Sequence, residues 1–154
     1  MSLKTKALTE KVSRVARARP VTIAPSASIK DALLRMRERR TPCLLVCEGS
    51  RLVGVFTERD YLMKVAGRSG GKEPVRDFMT PKPVRASFDD TIGTAAEAMD
   101  SRGLRQLPLV DGEGRPASVV AVELIVQYLA ENFPAAALNR PPDPRQRAEE
   151  PEGA

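Results

Sequence analysis

Thr57 and Asp60 are the two side chains whose types and spacing point most directly to chemistry. Both lie in the stretch Arg51–Leu62, RLVGVFTERDYL. Leu52, Val53, Val55 and Phe56 are bulky and apolar, as a buried strand requires. Gly54 interrupts them where a side chain would obstruct something lying close to the backbone, or simply marks a bulge. Thr57 then opens a helix, with Asp60 three residues on. A strand ending at a helix N-terminus presents oriented N–H groups and a positive dipole to an anion such as phosphate. A carboxylate beside it can accept two ribose hydroxyl hydrogens at once. The same residues also read as a plain helix start. Thr57 caps and Asp60 reaches back in a variant of the capping box, worth about 1 kcal/mol. The two roles are compatible.

Composition narrows what those residues can belong to. A chain of 154 residues holds one domain or two small repeats sharing a core. A 42% hydrophobic share with only 4% aromatic residues predicts an aliphatic interior. There is no histidine, which removes the commonest general base and metal ligand. Two cysteines cannot complete a four-ligand zinc site by themselves. Cys43 and Cys47 fall four residues apart in a strand-like run. That spacing is roughly 13 Å, too far for a disulfide, so both read as small core residues in a reducing, cytoplasmic compartment. No apolar run reaches membrane-spanning length and no secretory signal is expected. The net charge of +5 permits an acidic partner, but a solvated Arg-rich surface is the better reading of it. Few aromatics leave little for base stacking, so nucleic acid is disfavoured. The sequence contains no nucleophile–base pair and no Gly-rich loop of the P-loop or dinucleotide type, so no enzymatic role is expected.

The elements that position Thr57 and Asp60 emerge from periodicity. Leu8, Val12, Val15 and Ala16 fall at helical spacing within a lead-in helix over Thr5–Arg19, ended by Pro20. Val21–Ile23 reads as a strand. Ser28 caps a helix with Asp31 three residues later and the stripe Ile29, Ala32, Leu33, Met36. Leu44–Val46 and Leu52–Phe56 read as strands about a Glu48-Gly49-Ser50 turn. Tyr61, Leu62, Val65 and Ala66 stripe the following helix. After a Gly- and Ser-rich joint at Arg68–Lys72 the whole pattern recurs. Pro20-Val21 answers to Pro83-Val84, and Ile29, Ala32 and Met36 to Ile92, Ala95 and Met99, all at one constant offset. Leu104 is then taken as an added residue before the second strand. The offset grows by one from there, so that Leu45-Val46 answers to Leu109-Val110 and Arg51 to Arg115. The fold class expected is α/β (α+β): two β-α-β-β-α repeats related by a pseudo-twofold axis, with a cleft between them. The predicted organisation is a lead-in helix over 1–19, a first unit over 20–68, a linker and connecting helix over 69–82, a second unit over 83–132, and a disordered Pro-rich tail over 133–154.

VRDFMTPKPV at Val75–Val84, DDTIGTAAEAM and RQLPLVDGEGR in the second unit, with ARPVTIAPSASIKDALLRM and LVGVFTERD in the first, resemble a tandem pair of CBS domains across about residues 12–131. The resemblance implies a regulatory binding module with no required cofactor. Its candidate ligands are AMP, ADP, ATP or S-adenosylmethionine, held between the repeats. The family's ribose-binding pattern, Gly-hydrophobic-x-Ser/Thr-x-x-Asp, matches Gly54, Thr57 and Asp60. The resemblance also implies base contacts from Val21, Thr22 and Ile23 and from Pro42, Cys43 and Leu44. A phosphate contact is implied for Arg105, whose like position in the first unit is Thr41; a solvated helix end is the plain alternative for Arg105. The second unit departs from the pattern: Ser118, Ala121 and Leu124 stand where Gly54, Thr57 and Asp60 stand, and Pro116 is expected to disturb the strand edge. At most one nucleotide per chain is therefore expected. The resemblance further implies homodimerisation through helices and an effector protein to read occupancy. The alternative is a ligand-free dimerisation and protein-interaction module of the same fold.

Overall fold

The fold is organised by an exchange of short segments between two halves. In this computed structural model, which describes residues 3–16, 19–68 and 70–133, the order is α1 (Leu3–Thr9), β1 (Thr22–Ile23), α2 (Ile29–Arg39), β2 (Cys43–Glu48), β3 (Arg51–Thr57), α3 (Glu58–Asp60), β4 (Thr80–Pro81), β5 (Ala86–Ser87), α4 (Ile92–Arg102), β6 (Gln106–Val110), β7 (Pro116–Ala121) and α5 (Val122–Asn132). One sheet runs β1-β2-β3-β4 and the other β5-β6-β7. In each, the first strand lies parallel to the second and the second antiparallel to the third. The two-repeat reading holds. The expected Pro-rich tail from residue 134 on lies outside the described residues.

Both first helices begin and end as their sequences dictate. Ser28 Oγ accepts from Asp31 N, and Thr91 Oγ1 accepts from Thr94 N, each at 3.1 Å. Ile29, Ala32 and Met36 are buried in the first half, and Ile92, Ala95 and Met99 in the second. Each helix closes on a left-handed residue, Arg40 at φ 50° and Gly103 at φ 63°. Strand β2 alternates between two cores. Leu44 and Val46 pack on the first half's own interior, while Cys43, Leu45 and Cys47 join Leu52 and the second half's Val110 in a cluster between the halves.

The lead-in helix departs from expectation. It stops at Thr9, and Val12–Arg14 form a separate 3-10 turn. Backbone pairing with the second half accounts for this. Ile92 N donates to Glu10 O at 2.8 Å, Val12 N donates to Asp90 O at 2.7 Å, and Lys11 bridges Thr91. A helix continuing through 10–12 would forfeit all three. Val12 and Val15 are thereby buried in the second half's core. The mirror arrangement occurs at the equivalent positions of the other repeat. Ile29 N donates to Glu73 O, Val75 N donates to Ala27 O, and Val75 is buried in the first half's core. Each half's core is thus completed by the segment that precedes the other half. The expected connecting helix is correspondingly small, a 3-10 turn at Val75–Asp77 that leads into β4.

The extra residue of the second repeat is also placed differently. The bulge in the first sheet falls between Val46 and Cys47, and that in the second between Leu109 and Val110. These bulges keep the same offset that relates Met36 to Met99, so no residue has been added between them. Glu58 N donates to Pro42 O, and Val122 N to Arg105 O, which makes Arg105 the counterpart of Pro42 and not of Thr41. The insertion therefore lies in the hairpin turn between β6 and β7, where Asp111 Oδ1 accepts from both Glu113 N and Arg115 N. Leu45-Val46 matches Pro108-Leu109. Pro116 begins β7, a position where its missing N–H is tolerated, so it does not break the edge.

Candidate functional site

At the end of β3 the capping box forms. Thr57 Oγ1 accepts from Asp60 N at 3.1 Å, and Asp60 Oδ2 accepts from Thr57 N at 3.0 Å and from the Thr57 hydroxyl at 3.1 Å. The other carboxylate oxygen, Oδ1, accepts from the Thr80 hydroxyl at 3.2 Å and lies 3.0 Å from Lys64 Nζ. Asp60 is 8% exposed, so these donors replace water. A carboxylate has about four lone-pair sites, and four donors of the chain itself meet this one.

Beyond Asp60 the regular helix expected does not form. Only Glu58–Asp60 are α-helical, and Tyr61–Val65 form a π-helical turn. Three α-helical residues align few peptide dipoles, so little of the expected anion field of a full helix develops here. The apolar stripe is likewise incomplete: Val65 is buried, but Leu62 and Ala66 are exposed. The wider turn still brings Lys64 back over Asp60.

Close approach explains Gly54. A Cβ there would stand 2.5 Å from Met79 Sδ and 3.1 Å from Thr80 O. The object lying against the strand is the chain's own β4, paired as Gly54↔Pro81 and Val55↔Thr80. The same approach delivers the Thr80 hydroxyl to Asp60.

The remaining expected residues divide between this cluster and elsewhere. Cys43 pairs across the ladder with Thr57, and Pro42 O receives Glu58 N, so both border the cluster. Burial, with a smaller contribution from the Asp60 charge, pushes the Cys43 thiol up to about 12 from an ordinary 9.0. Thr41 Oγ1 donates to Cys43 O and accepts from Cys43 N, holding the turn into β2. Val21 O accepts from Leu45 N, and Thr22 O from Arg35 Nη1 at 2.7 Å, so β1 lies on the far side of β2 from Thr57. The Ile23 and Leu44 side chains belong to the first half's core. Their backbone alone could meet a ligand. Arg105 is not in the cluster. Its Nη2 lies 2.6 Å from Glu123 Oε1 on α5, and this hydrogen bond lowers the Glu123 carboxyl below its usual range. Thr80 and Lys64 are cluster members that sequence reasoning did not single out. Lys64 had a signal in its i,i+4 spacing from Asp60.

The corresponding place in the second half has none of this chemistry. Ser118 is buried in β7, Ala121 precedes α5 without a side-chain cap, and Leu124 lines a shallow groove with Arg14, Val15, Gln127, Tyr128 and Glu131. Among the described residues no group of three or more Cys, Asp or Glu side chains could hold a metal ion, and no helix is long and apolar enough to cross a membrane.

Comparison with known proteins agrees with this architecture. The CBS domain family profile matches twice, over residues 12–67 and 75–131. The chain is 30% identical over 123 residues to the 17.7 kDa protein in the bps2 3′ region of Acidianus ambivalens, a match covering 79% of this chain and 74% of that one. It is 33% identical over 102 residues to the CBS domain-containing protein CBSCBSPB3 of Arabidopsis thaliana, covering 65% of this chain but only 18% of that much longer protein. Among solved structures, CBSX2 of Arabidopsis thaliana in complex with AMP superposes with a TM-score of 0.68 at 27% identity, over 79% of this chain and 97% of that one. Two repeats of one pattern, each completed by the other's leading segment and each matched by the same profile, show that the chain belongs to the CBS domain family as a tandem CBS pair.

Proposed function

We propose that this CBS pair is a regulatory module that takes one adenosine-type ligand, AMP, ADP, ATP or S-adenosylmethionine, at the Thr57–Asp60 end of the first half and signals occupancy to a partner protein. The carrying observation is the buried Asp60 carboxylate, held at the end of β3 by Thr57 and the Gly54 approach, whereas Leu124 occupies the equivalent place in the second half. The AMP complex of CBSX2, a relative of the same fold, supports the ligand class. A vicinal diol reaching Asp60 takes over acceptor sites that Lys64 and Thr80 now fill, so binding and rearrangement of the β3–β4 corner are one event. Such a coupled corner can report occupancy. The exposed Leu62, Met63 and Val126 fit self-association through the helices. The free thiols of Cys43 and Cys47 fit a reducing, cytoplasmic location.

The filled acceptor sites of Asp60 also favour a second reading, a ligand-free interaction module of the same fold. A thermal-shift screen across adenosine compounds separates the two. The binding reading expects a rise in melting temperature with at least one of them. No shift with any leaves the interaction module.

A further inference from the structure

Lys64 holds two acceptors at once at the Thr57–Asp60 corner. Its Nζ lies 3.0 Å from Asp60 Oδ1 and donates to Phe78 O at 3.3 Å. The π-helical turn, closed by Ala66 N donating to Tyr61 O at 2.9 Å, sets the side chain back over the carboxylate. Among the described residues Lys64 is the cation paired with Asp60. An ammonium has three donors, and two of them are engaged by these partners.

The second half has lost both members of this pair together. Leu124 stands for Asp60 and, at the same offset, Tyr128 stands for Lys64. The Tyr128 ring packs instead on Phe133, with centroids 6.2 Å apart. The ammonium thus goes with the carboxylate, and its role belongs to the corner where a sugar is expected.

A ribose diol that takes Oδ1 frees one N–H of Lys64, and the Phe78 carbonyl still keeps the ammonium beside the ring. Separating Lys64 from Asp60 weakens the binding of every ligand that reaches the carboxylate. The group at the 5′ position of the sugar decides whether that loss is offset. A 5′-phosphate offers anionic oxygens to the freed donor, and charge-assisted bonds of that kind are about twice as strong as neutral ones. A 5′-hydroxyl offers less. A 5′-sulfonium sets a second positive charge beside the ammonium, a like-charge contact in a partly desolvated place. The three residues of α3 align few dipoles toward an anion, so the discrimination falls to the side chain.

We propose that Lys64 sets the charge class of the ligand, so that the corner takes adenine nucleotides bearing a 5′-phosphate and discriminates against S-adenosylmethionine and uncharged adenosine. This rests on the reading of the corner as an adenosine site and narrows it.

Calorimetric titration of AMP, adenosine and S-adenosylmethionine into wild type, Lys64→Met and Lys64→Arg tests it. Wild type should bind AMP about tenfold or more tightly than either other compound. In Lys64→Met the affinity for AMP should fall by about tenfold while that for adenosine rises by about threefold. The two changes have opposite signs, which a purely structural role does not produce. Lys64→Gln removes the charge with a polar end and should give the same crossing. Lys64→Arg keeps the charge and should keep the order of preference. Equal weakening of AMP and adenosine in Lys64→Met overturns the proposal and leaves the adenosine reading standing, as does a wild-type chain that prefers S-adenosylmethionine. Wild type that binds none of the three compounds overturns that reading and the proposal with it.

Discussion

Thr80 and Asp60 stand 20 residues apart in the chain, yet the Thr80 hydroxyl donates to Asp60 Oδ1 at 3.2 Å. The linker between the halves is thereby tied to the carboxylate expected to hold a sugar. Thr57 secures the other oxygen, and Lys64 is the fourth donor, with a side chain 43% exposed. Lys64 is the donor that can leave at least cost, because water awaits its ammonium.

Lys64→Met should therefore change stability by no more than about 1 kcal/mol, since a half-exposed ion pair contributes little. It should also tighten binding of uncharged adenosine by about threefold, because a competitor for the carboxylate is gone. Thermal melts and calorimetry with adenosine check the two halves of this statement.

Gly54→Ala should destabilise the fold by about 1–3 kcal/mol, as its Cβ would overlap Met79 Sδ and crowd the Thr80 carbonyl. Adding Met79→Ala should recover only part of the loss, because the backbone oxygen remains 3.1 Å away. Chemical denaturation of the single and double variants measures both effects.

Cys43 sets an alkaline limit. Its folded thiol titrates near 12, above the ordinary 9.0, so the neutral form is favoured in the folded chain. The stability it contributes is fully present below pH 9 and is lost as pH rises from there toward 12. Melting temperatures of wild type and Cys43→Ala should therefore converge between pH 8 and pH 10.5, with wild type falling faster. A gap that does not change with pH counts against it.

Arg40→Gly should stabilise. Arg40 closes α2 at φ 50°, where the second half uses Gly103 at φ 63° for the same turn. Relief of left-handed strain less the added chain entropy should give about 0.5–1 kcal/mol. The check is a melting-temperature rise of about 1–4 °C.

Much of the architecture was legible in the sequence because its signals are local. Ser28 with Asp31 and Thr57 with Asp60 are caps read three residues apart, and Ile29, Ala32 and Met36 mark a buried face by spacing alone. What escaped was decided by partners far along the chain. The lead-in helix breaks because Glu10 and Val12 pair with Asp90 and Ile92. The added residue of the second half is silent in apolar spacing and becomes visible only through the bulges at Val46 and Leu109. Thr80 lies within a stretch that signalled the family, but its aim at Asp60 depends on β4 pairing with β3. Arg105 meets Glu123, 18 residues on, a pairing that no helical spacing announces.

The most direct measurement is calorimetric titration of AMP into wild-type chain and Asp60→Asn. Asn keeps the shape of the side chain but loses the charge and acceptor capacity a ribose diol needs. One AMP per chain in the wild type, with affinity reduced by about tenfold or more in Asp60→Asn at a temperature where both chains are folded, is the predicted result, the variant also melting lower because its amide leaves two of the four donors unmatched. Two equivalent sites per chain, or AMP binding that Asp60→Asn leaves unchanged, would contradict it.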